Sequence, residues 1–226
     1  MPSKKIQQTS EGEQYNMKTK ILNTKGTFGE VLDVCRHTAN KDALNKTPSN
    51  EFIKEILISE HSPIRLMSIL WKWTNIPHWI GVHWVRHKWE CFVGTQRTDR
   101  TGIDRTKLPQ DEPQDFIGEA NIQNLIDTMR KRLCFQASPE TREYAEDLKA
   151  TIGGYYDKRI ADVLVPNCVY RCGCPEGKNN CGFFDTLAER HGFNDTNIQK
   201  RYDNYNRYFR KEVQDYEYHP SSQPSR

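Results

Sequence analysis

The chain has 226 residues, 35% of them hydrophobic, and its 33 Lys and Arg nearly balance 30 Asp and Glu, leaving a net charge of +3. That length fits one domain with an elaboration, and five Trp, ten Tyr and nine Phe argue against a disordered chain. The charge balance argues against a protein that coats nucleic acid with positive charge.

No stretch approaches the roughly 18 apolar residues of a membrane span. Residues 1–20 lack the apolar core of a secretory signal, so a cytoplasmic location is expected. Seven cysteines, an odd number, suit reduced thiols better than a disulfide framework.

Residues 1–17 are polar and read as a flexible start. From Ile21 to Val34, short apolar runs broken by Gly26 and Gly29 suit a strand and turn. Ser49 and Asn50 are placed to cap a helix with the stripe Phe52, Ile53, Ile56 and Leu57. The segment from Ile64 to Trp73 alternates as a strand, with Met67, Ile69, Trp71 and Trp73 on one face. Pro77 suits a first helical position, and Trp79, Val82 and Val85 follow at helical spacing up to about Lys88.

Residues 93–115 are nearly free of apolar side chains and read as a long functional loop. A helix is expected from about Phe116 to Leu133, with Ile117, Ala120, Asn124 and Leu125 along one side. Ser138-Pro139-Glu140 combines a cap, an N1 proline and a first-turn acid. That helix is expected to stop at Gly153-Gly154. A short helix over about 155–164 leads to Pro166 and a Cys-rich loop, 168–182. The tail from about Asn194 to Glu217 carries Ile198, Tyr202, Tyr205, Phe209 and Val213 at steps of an amphipathic helix. Its other face holds Lys200, Arg201, Arg207, Arg210 and Lys211. Residues 220–226 read as disordered.

The chemistry concentrates in His83-Trp84-Val85-Arg86-His87-Lys88 and the Thr95-Gln96-Arg97 loop that follows. Arg offers a planar fork to phosphate oxygens and Lys a point charge. Thr and Gln offer short neutral hydrogen bonds to a base or ribose edge. The bland alternative is a solvated cationic helix end. In the loop, Cys168, Cys172, Cys174 and Cys181 could hold structural zinc, but their spacing is not the paired C-x2-C pattern, and reduced thiols are the competing reading.

The order of motifs resembles the flavin-dependent thymidylate synthases, the ThyX family, in a divergent form of phage type. The motifs are Cys35-Arg36-His37-Thr38, Glu60-His61-Ser62-Pro63, His83 to Lys88, Thr95-Gln96-Arg97, Ala120-Asn121, Arg132, and Gln136-Ala137-Ser138-Pro139-Glu140-Thr141-Arg142. They span roughly residues 20–152. The resemblance implies conversion of dUMP to dTMP, with methylenetetrahydrofolate as one-carbon donor and NADPH reducing a bound FAD. It implies that Ser62, Arg86, His87, Lys88, Arg132 and Gln136 bind FAD. His83, Arg86, Thr95, Gln96, Arg97, Arg142 and, from another chain position, Arg171 would bind dUMP. Arg142 would polarise the pyrimidine ring, with Thr95 where the family has its serine.

The implied fold is α/β, a central mostly antiparallel sheet flanked by helices, assembled as a homotetramer with sites at subunit junctions. A catalytic domain over 18–182 would precede a helical extension over 183–226. Lys88 stands where the family has Arg, a point charge for a bidentate fork. That departure opens a second reading, a product such as hydroxymethyl-dUMP or hydroxymethyl-dCMP. A third reading, from another class, is a single-strand nucleic-acid module using the Cys loop and the Tyr-rich basic tail. The near-neutral total charge counts against it.

Overall fold

The computed structural model describes residues 18–214, and the side chains of 212–214 are not among those described. The expected flexible start, the disordered end and the side chain of Val213 therefore lie outside the described residues.

Four strands make one sheet in the order β1-β2-β4-β3, every neighbouring pair antiparallel. They are β1 (Thr19–Lys25), β2 (Ser68–Pro77), β3 (Glu90–Val93) and β4 (Pro113–Asn121). The expected face of β2 is the buried one: Met67, Ile69, Trp71 and Trp73 are 2% exposed or less. After β1, Thr27 and Glu30 close a reciprocal capping box and start α1 (Phe28–Thr38). Val31 and Val34 thus belong to a helix, not to the expected strand and turn. Ser49 caps α2 (Asn50–Ile58) as expected.

The segment expected as a helix from Phe116 is split. Residues Pro113–Asn121 form β4, and α5 begins only at Ile122 and runs to Arg132, capped by Asn121. Gln114, Phe116, Gly118 and Ala120 alternate inward, a period of two. Gly118 is required there: a Cβ would sit 2.4 Å from the Trp71 ring, its register partner across β2.

Helix α3 (His78–Trp84) and helix α6 (Pro139–Tyr155) cover the inner sheet face. The Trp73 ring lies 4.9 Å from Trp84 and 5.4 Å from Tyr144. On α3 the buried residues are Ile80, Gly81 and Trp84, while Val82 and Val85 are exposed. The expected Trp79–Val82–Val85 face is therefore not the packed one. Helix α6 starts at the Ser138 cap but continues through Gly153 and Gly154. Gly153 permits close approach, because a Cβ there would lie 3.2 Å from the Ala161 methyl on α7 (Lys158–Asp162).

The C-terminal part is helical: α8 (Asn167–Arg171), α9 (Phe183–His191) and α10 (Ile198–Gln214). Cys168 therefore sits on a helix rather than in a loop. Tyr202, Tyr205 and Phe209 of α10 are buried, as their spacing predicts. Arg201 is the exception to the expected solvent face. It is 6% exposed, and its guanidinium donates to the carbonyls of Val169, Tyr170 and Asp195 at 2.7–3.0 Å. Lys149 of α6 makes the reciprocal tie. Its buried amine donates to Ala161 O, Leu164 O and Asn206 Oδ1 at 2.6–2.8 Å, joining α6, α7 and α10. No helix among the described residues is long and apolar enough to cross a membrane.

Burial pushes the Lys149 amine down to about 7, against a small opposing pull from Asp162 and with the repulsion of Arg210 and Lys158. An unfolded lysine titrates near 10.4. Between those values the unfolded chain holds the extra proton, so this group makes folding more favourable as pH rises. Denaturant unfolding of the wild type and Lys149→Met at pH 7 and pH 10 tests this. The wild type should gain on the order of 4 kcal/mol relative to the variant between the two; parallel changes in both would refute the assignment.

Candidate active site

The sheet places three chain segments against one another: the turn after α3, the end of α5 and the start of α6. Arg132, the last residue of α5, is the hub. Its Nε donates to His87 Nε2 at 2.7 Å and its NH2 to the His83 carbonyl at 2.5 Å. Its guanidinium also lies 5.7 Å from the centre of the Trp84 ring. A cation at a helix C-terminus is favoured by the helix dipole. The turn itself is held by aromatic packing. Trp89 stacks on Trp84 at 5.5 Å and donates its indole N–H to the Trp84 carbonyl at 2.8 Å. Asn124 of α5 donates to the Lys88 carbonyl.

For His87 to accept from Arg132, its Nε2 must be unprotonated. Burial and the Arg132 charge push its imidazole down to about 4, so it is neutral at pH 7. His83 is lowered as well, by burial and by Arg132 and Arg86. Its Nδ1 lies 2.7 Å from Thr141 Oγ1, which accepts from the Ser138 hydroxyl at 2.8 Å. In the tautomer with Nδ1 unprotonated, His83 accepts from Thr141, giving a relay Ser138 to Thr141 to His83. In sequence Ser138 reads as a helix cap and Thr141 only as part of the Gln136–Arg142 motif; their position opposite His83 is purely tertiary.

Arg142 follows on α6, its guanidinium 4.1 Å from the centre of the Phe135 ring and its Nε 3.2 Å from Glu146 Oε1. That Nε is buried without a well-aligned hydrogen bond. Arg86 and Lys88 are exposed beside Arg132 and His87, and these residues together form a cationic knot. Among the described residues, no carboxylate pairs with Arg86, Lys88 or Arg132.

The remaining expected residues lie elsewhere. Gln136 turns away and donates to the Asn179 carbonyl. Ser62 is exposed at the start of a 3-10 turn, Ser62–Leu66. Arg171 bonds Asn167 on its own helix at 3.0 Å. Thr95 and Gln96 lie at the far end of β3 from Lys88 and line an open cavity of about 380 Å³ with Asn75, Thr101, Gln114 and Asp115. Arg97 pairs there with Asp99. The loop expected over 93–115 holds for 94–112, broken by the short helix α4 (Thr98–Thr101) and a 3-10 turn at Arg105–Lys107, while Val93 ends β3 and 113–115 begin β4. Gln114, buried and bonded to His78 Nδ1 at 3.0 Å, was not anticipated; the polar residue at an inward position of β4 was its signal.

The expected set of Cys168, Cys172, Cys174 and Cys181 is not assembled, because Cys172 stands apart from the other three. The Cys172 sulfur faces the carbonyls of Asn194 and Asp195 at 3.5 and 4.0 Å. No three His, Cys, Asp or Glu side chains among the described residues already stand where they could share a metal.

No family profile matches the chain, and no curated protein matches it in sequence. Solved structures do share its fold. The UMP/dUMP methylase PolB from Streptomyces cacaoi, bound with 5-Br dUMP, superposes with a TM-score of 0.52 at 14% identity, over 64% of this chain and 93% of that one. Thymidylate Synthase X (ThyX) from Helicobacter pylori, with FAD and dUMP, gives 0.54 at 10% identity, over 66% and 99%. The chain therefore has a ThyX-like fold, an antiparallel sheet flanked by helices, and roughly a third of it lies outside each match.

A histidine titration followed by NMR checks the site electrostatics. The His87 ring should titrate near 4, well below the usual 6.5, and Arg132→Gln should raise it. A wild-type midpoint above 6 would be incompatible with the Arg132–His87 bond.

Proposed function

We propose that this protein is a flavin-dependent thymidylate synthase that converts dUMP to dTMP, with methylenetetrahydrofolate as one-carbon donor and NADPH as reductant. The observation that carries the reading is the group Arg86, Lys88 and Arg132, three cations without a carboxylate partner around a neutral histidine. Cations left unpaired in one place repel one another, and an anionic ligand relieves that repulsion. A dinucleotide's phosphates fit this donor set: Arg132 keeps its fork in place through His87 and His83 O, while Arg86 and Lys88 reach outward.

Bound FAD would supply the hydride chemistry. The chain's own groups position and stabilise. Neutral His87 orients Arg132. Arg142 would place positive charge at the pyrimidine ring as negative charge develops there. Thr95 and Gln96 would hold the nucleotide through neutral hydrogen bonds. They lie beyond a four-residue strand from the cationic knot, roughly 13 Å at the usual rise per residue. A homotetramer is therefore part of the proposal, with the Thr95 end of one copy completing the Arg132 end of another. Ser62, Gln136, Arg97 and Arg171 contribute only if assembly or ligand binding turns them from the positions described above. Lys88 supports a second reading on the same fold, a different 5-substituted pyrimidine product such as hydroxymethyl-dUMP or hydroxymethyl-dCMP.

Purified protein should be yellow, or become so on adding FAD, and Arg132→Ala should lose the flavin. A protein that takes up no flavin sinks both readings. Incubation with dUMP, UMP or dCMP, methylenetetrahydrofolate and NADPH, with product mass measured, separates a methyl from a hydroxymethyl product. Arg142→Ala should lower turnover about 10²–10³-fold; unchanged turnover refutes its role.

A further inference from the structure

Four thiols from three stretches of the chain gather behind the end of α5. Cys134 lies two residues past Arg132. Cys168 is buried on α8, and Cys174 and Cys181 bracket the loop that follows. Two contacts lock the first stretch to the last. The Phe135 ring stacks on Phe183 at 4.3 Å and 16°, and the Gln136 side chain donates to the Asn179 carbonyl. Cys134 directly precedes Phe135, and Cys181 lies two residues from both Asn179 and Phe183. On the other side, Gly173 N–H donates to the Cys168 carbonyl at 3.0 Å, folding the chain back so that Cys174 follows against α8. Cys134 and Cys168 are each within electrostatic reach of Cys174 and Cys181, and Cys168 of Cys134. Cys172 takes no part: it occupies a left-handed position at φ 55°, with its sulfur toward Asn194 and Asp195. All seven cysteines are free thiols.

We propose that Cys134, Cys168, Cys174 and Cys181 form a structural zinc site, with Cys172 outside it. Four soft thiolates are the donor set of closed tetrahedral zinc centres, with Zn–S near 2.3 Å. Each thiol gives its proton to solvent as its sulfur binds the ion. The sulfurs are gathered but not yet at ligating distance. The segment that closes is the short loop over 174–181, where Gly177 has φ +53° and Cys181 is exposed. Binding requires Cys174 and Cys181 to move toward Cys134 and Cys168. The ion would pin α8 and this loop to the end of α5, the helix whose last residue holds His83 and His87. Its role is support of the candidate site from behind, independent of which nucleotide that site takes.

The test is the metal content of the full-length chain, purified without chelator or histidine tag and measured by plasma mass spectrometry. One zinc per chain is expected. Cys134→Ser and Cys181→Ser should lose it and Cys172→Ser should keep it. A metal-free wild type, a Cys172→Ser chain without zinc, or a Cys134→Ser chain with full zinc overturns the proposal. Should the Cys134 and Cys181 variants not fold, alkylation mapping of the wild type decides. Cys172 should label before the four, and a chelator should expose the four together. Labelling that ignores the chelator, or a disulfide among the four, overturns it equally.

Discussion

The ring of Trp71 lies directly over Gly118, and much of the structure follows from that contact. No side chain fits between them, since a Cβ on residue 118 would approach the ring to 2.4 Å. The pair fixes the register of β2 against β4, and a slip of one residue would turn Trp71 and Trp73 to the other face of the sheet. With the register set, Trp73 reaches Trp84 of α3 and Tyr144 of α6 across the inner face. Trp71 in turn packs edge-on against Trp89 at 5.0 Å. Trp84 and Trp89 bracket the turn that carries Arg86, His87 and Lys88, so the aromatic core and the cationic knot are one construction. Aromatic pairs of this kind add about 0.5–1.5 kcal/mol each beyond the area they bury.

A second layer of constraint is polar and ties the C-terminal helices to the body. The hydrogen bonds of the Lys149 amine and the Arg201 guanidinium go to backbone carbonyls or an amide oxygen rather than to carboxylates. Asp147, also buried, accepts from the backbone of Lys18 and Thr19 and anchors the start of β1 on α6. Removing a single partner from such a set leaves buried groups unpaired, which costs more than the bond itself contributes. This explains how a chain lean in apolar residues can hold α8, α9 and α10 as part of the same packed body.

The sequence made some of this legible. The alternation through Trp71 and Trp73 and the Ser138-Pro139-Glu140 start are local signals, and both hold. The helix expected from Phe116 failed because Ile117, Ala120, Asn124 and Leu125 fit a period of 3.6 as well as Phe116, Gly118 and Ala120 fit a period of two. Gly118 was the discriminating residue, but its meaning depends on Trp71, 47 positions away. On α3 two apolar faces were available, and the sheet took the one with Ile80 and Trp84 because Trp73 could meet it. Arg201 looked like part of a solvated basic face; only the carbonyl ends of α8 show why it is buried. The candidate site was legible as residue types and order, while the Ser138–Thr141–His83 relay and the place of Cys134 beside the later cysteines depend on contacts far apart in sequence.

The cationic knot differs from the ion pairs of the body. Glu60 meets Arg130, Lys72 meets Asp115 and Asp157 meets Arg159. At the knot, Arg132 is half-buried against a histidine and a carbonyl, both neutral, with Arg86 close enough to disfavour its charge further. An arrangement that costs stability in the free protein is expected where function needs it. An anion that binds only the folded chain returns that stability by mass action, about 2.7 kcal/mol at a hundredfold excess over its Kd. The neutral His87 is what makes this workable. A charged imidazole there would repel Arg132 and break the bond that aims it, so the same burial that lowers the His87 pKa keeps the guanidinium fork pointed and the positive field concentrated on what approaches from outside.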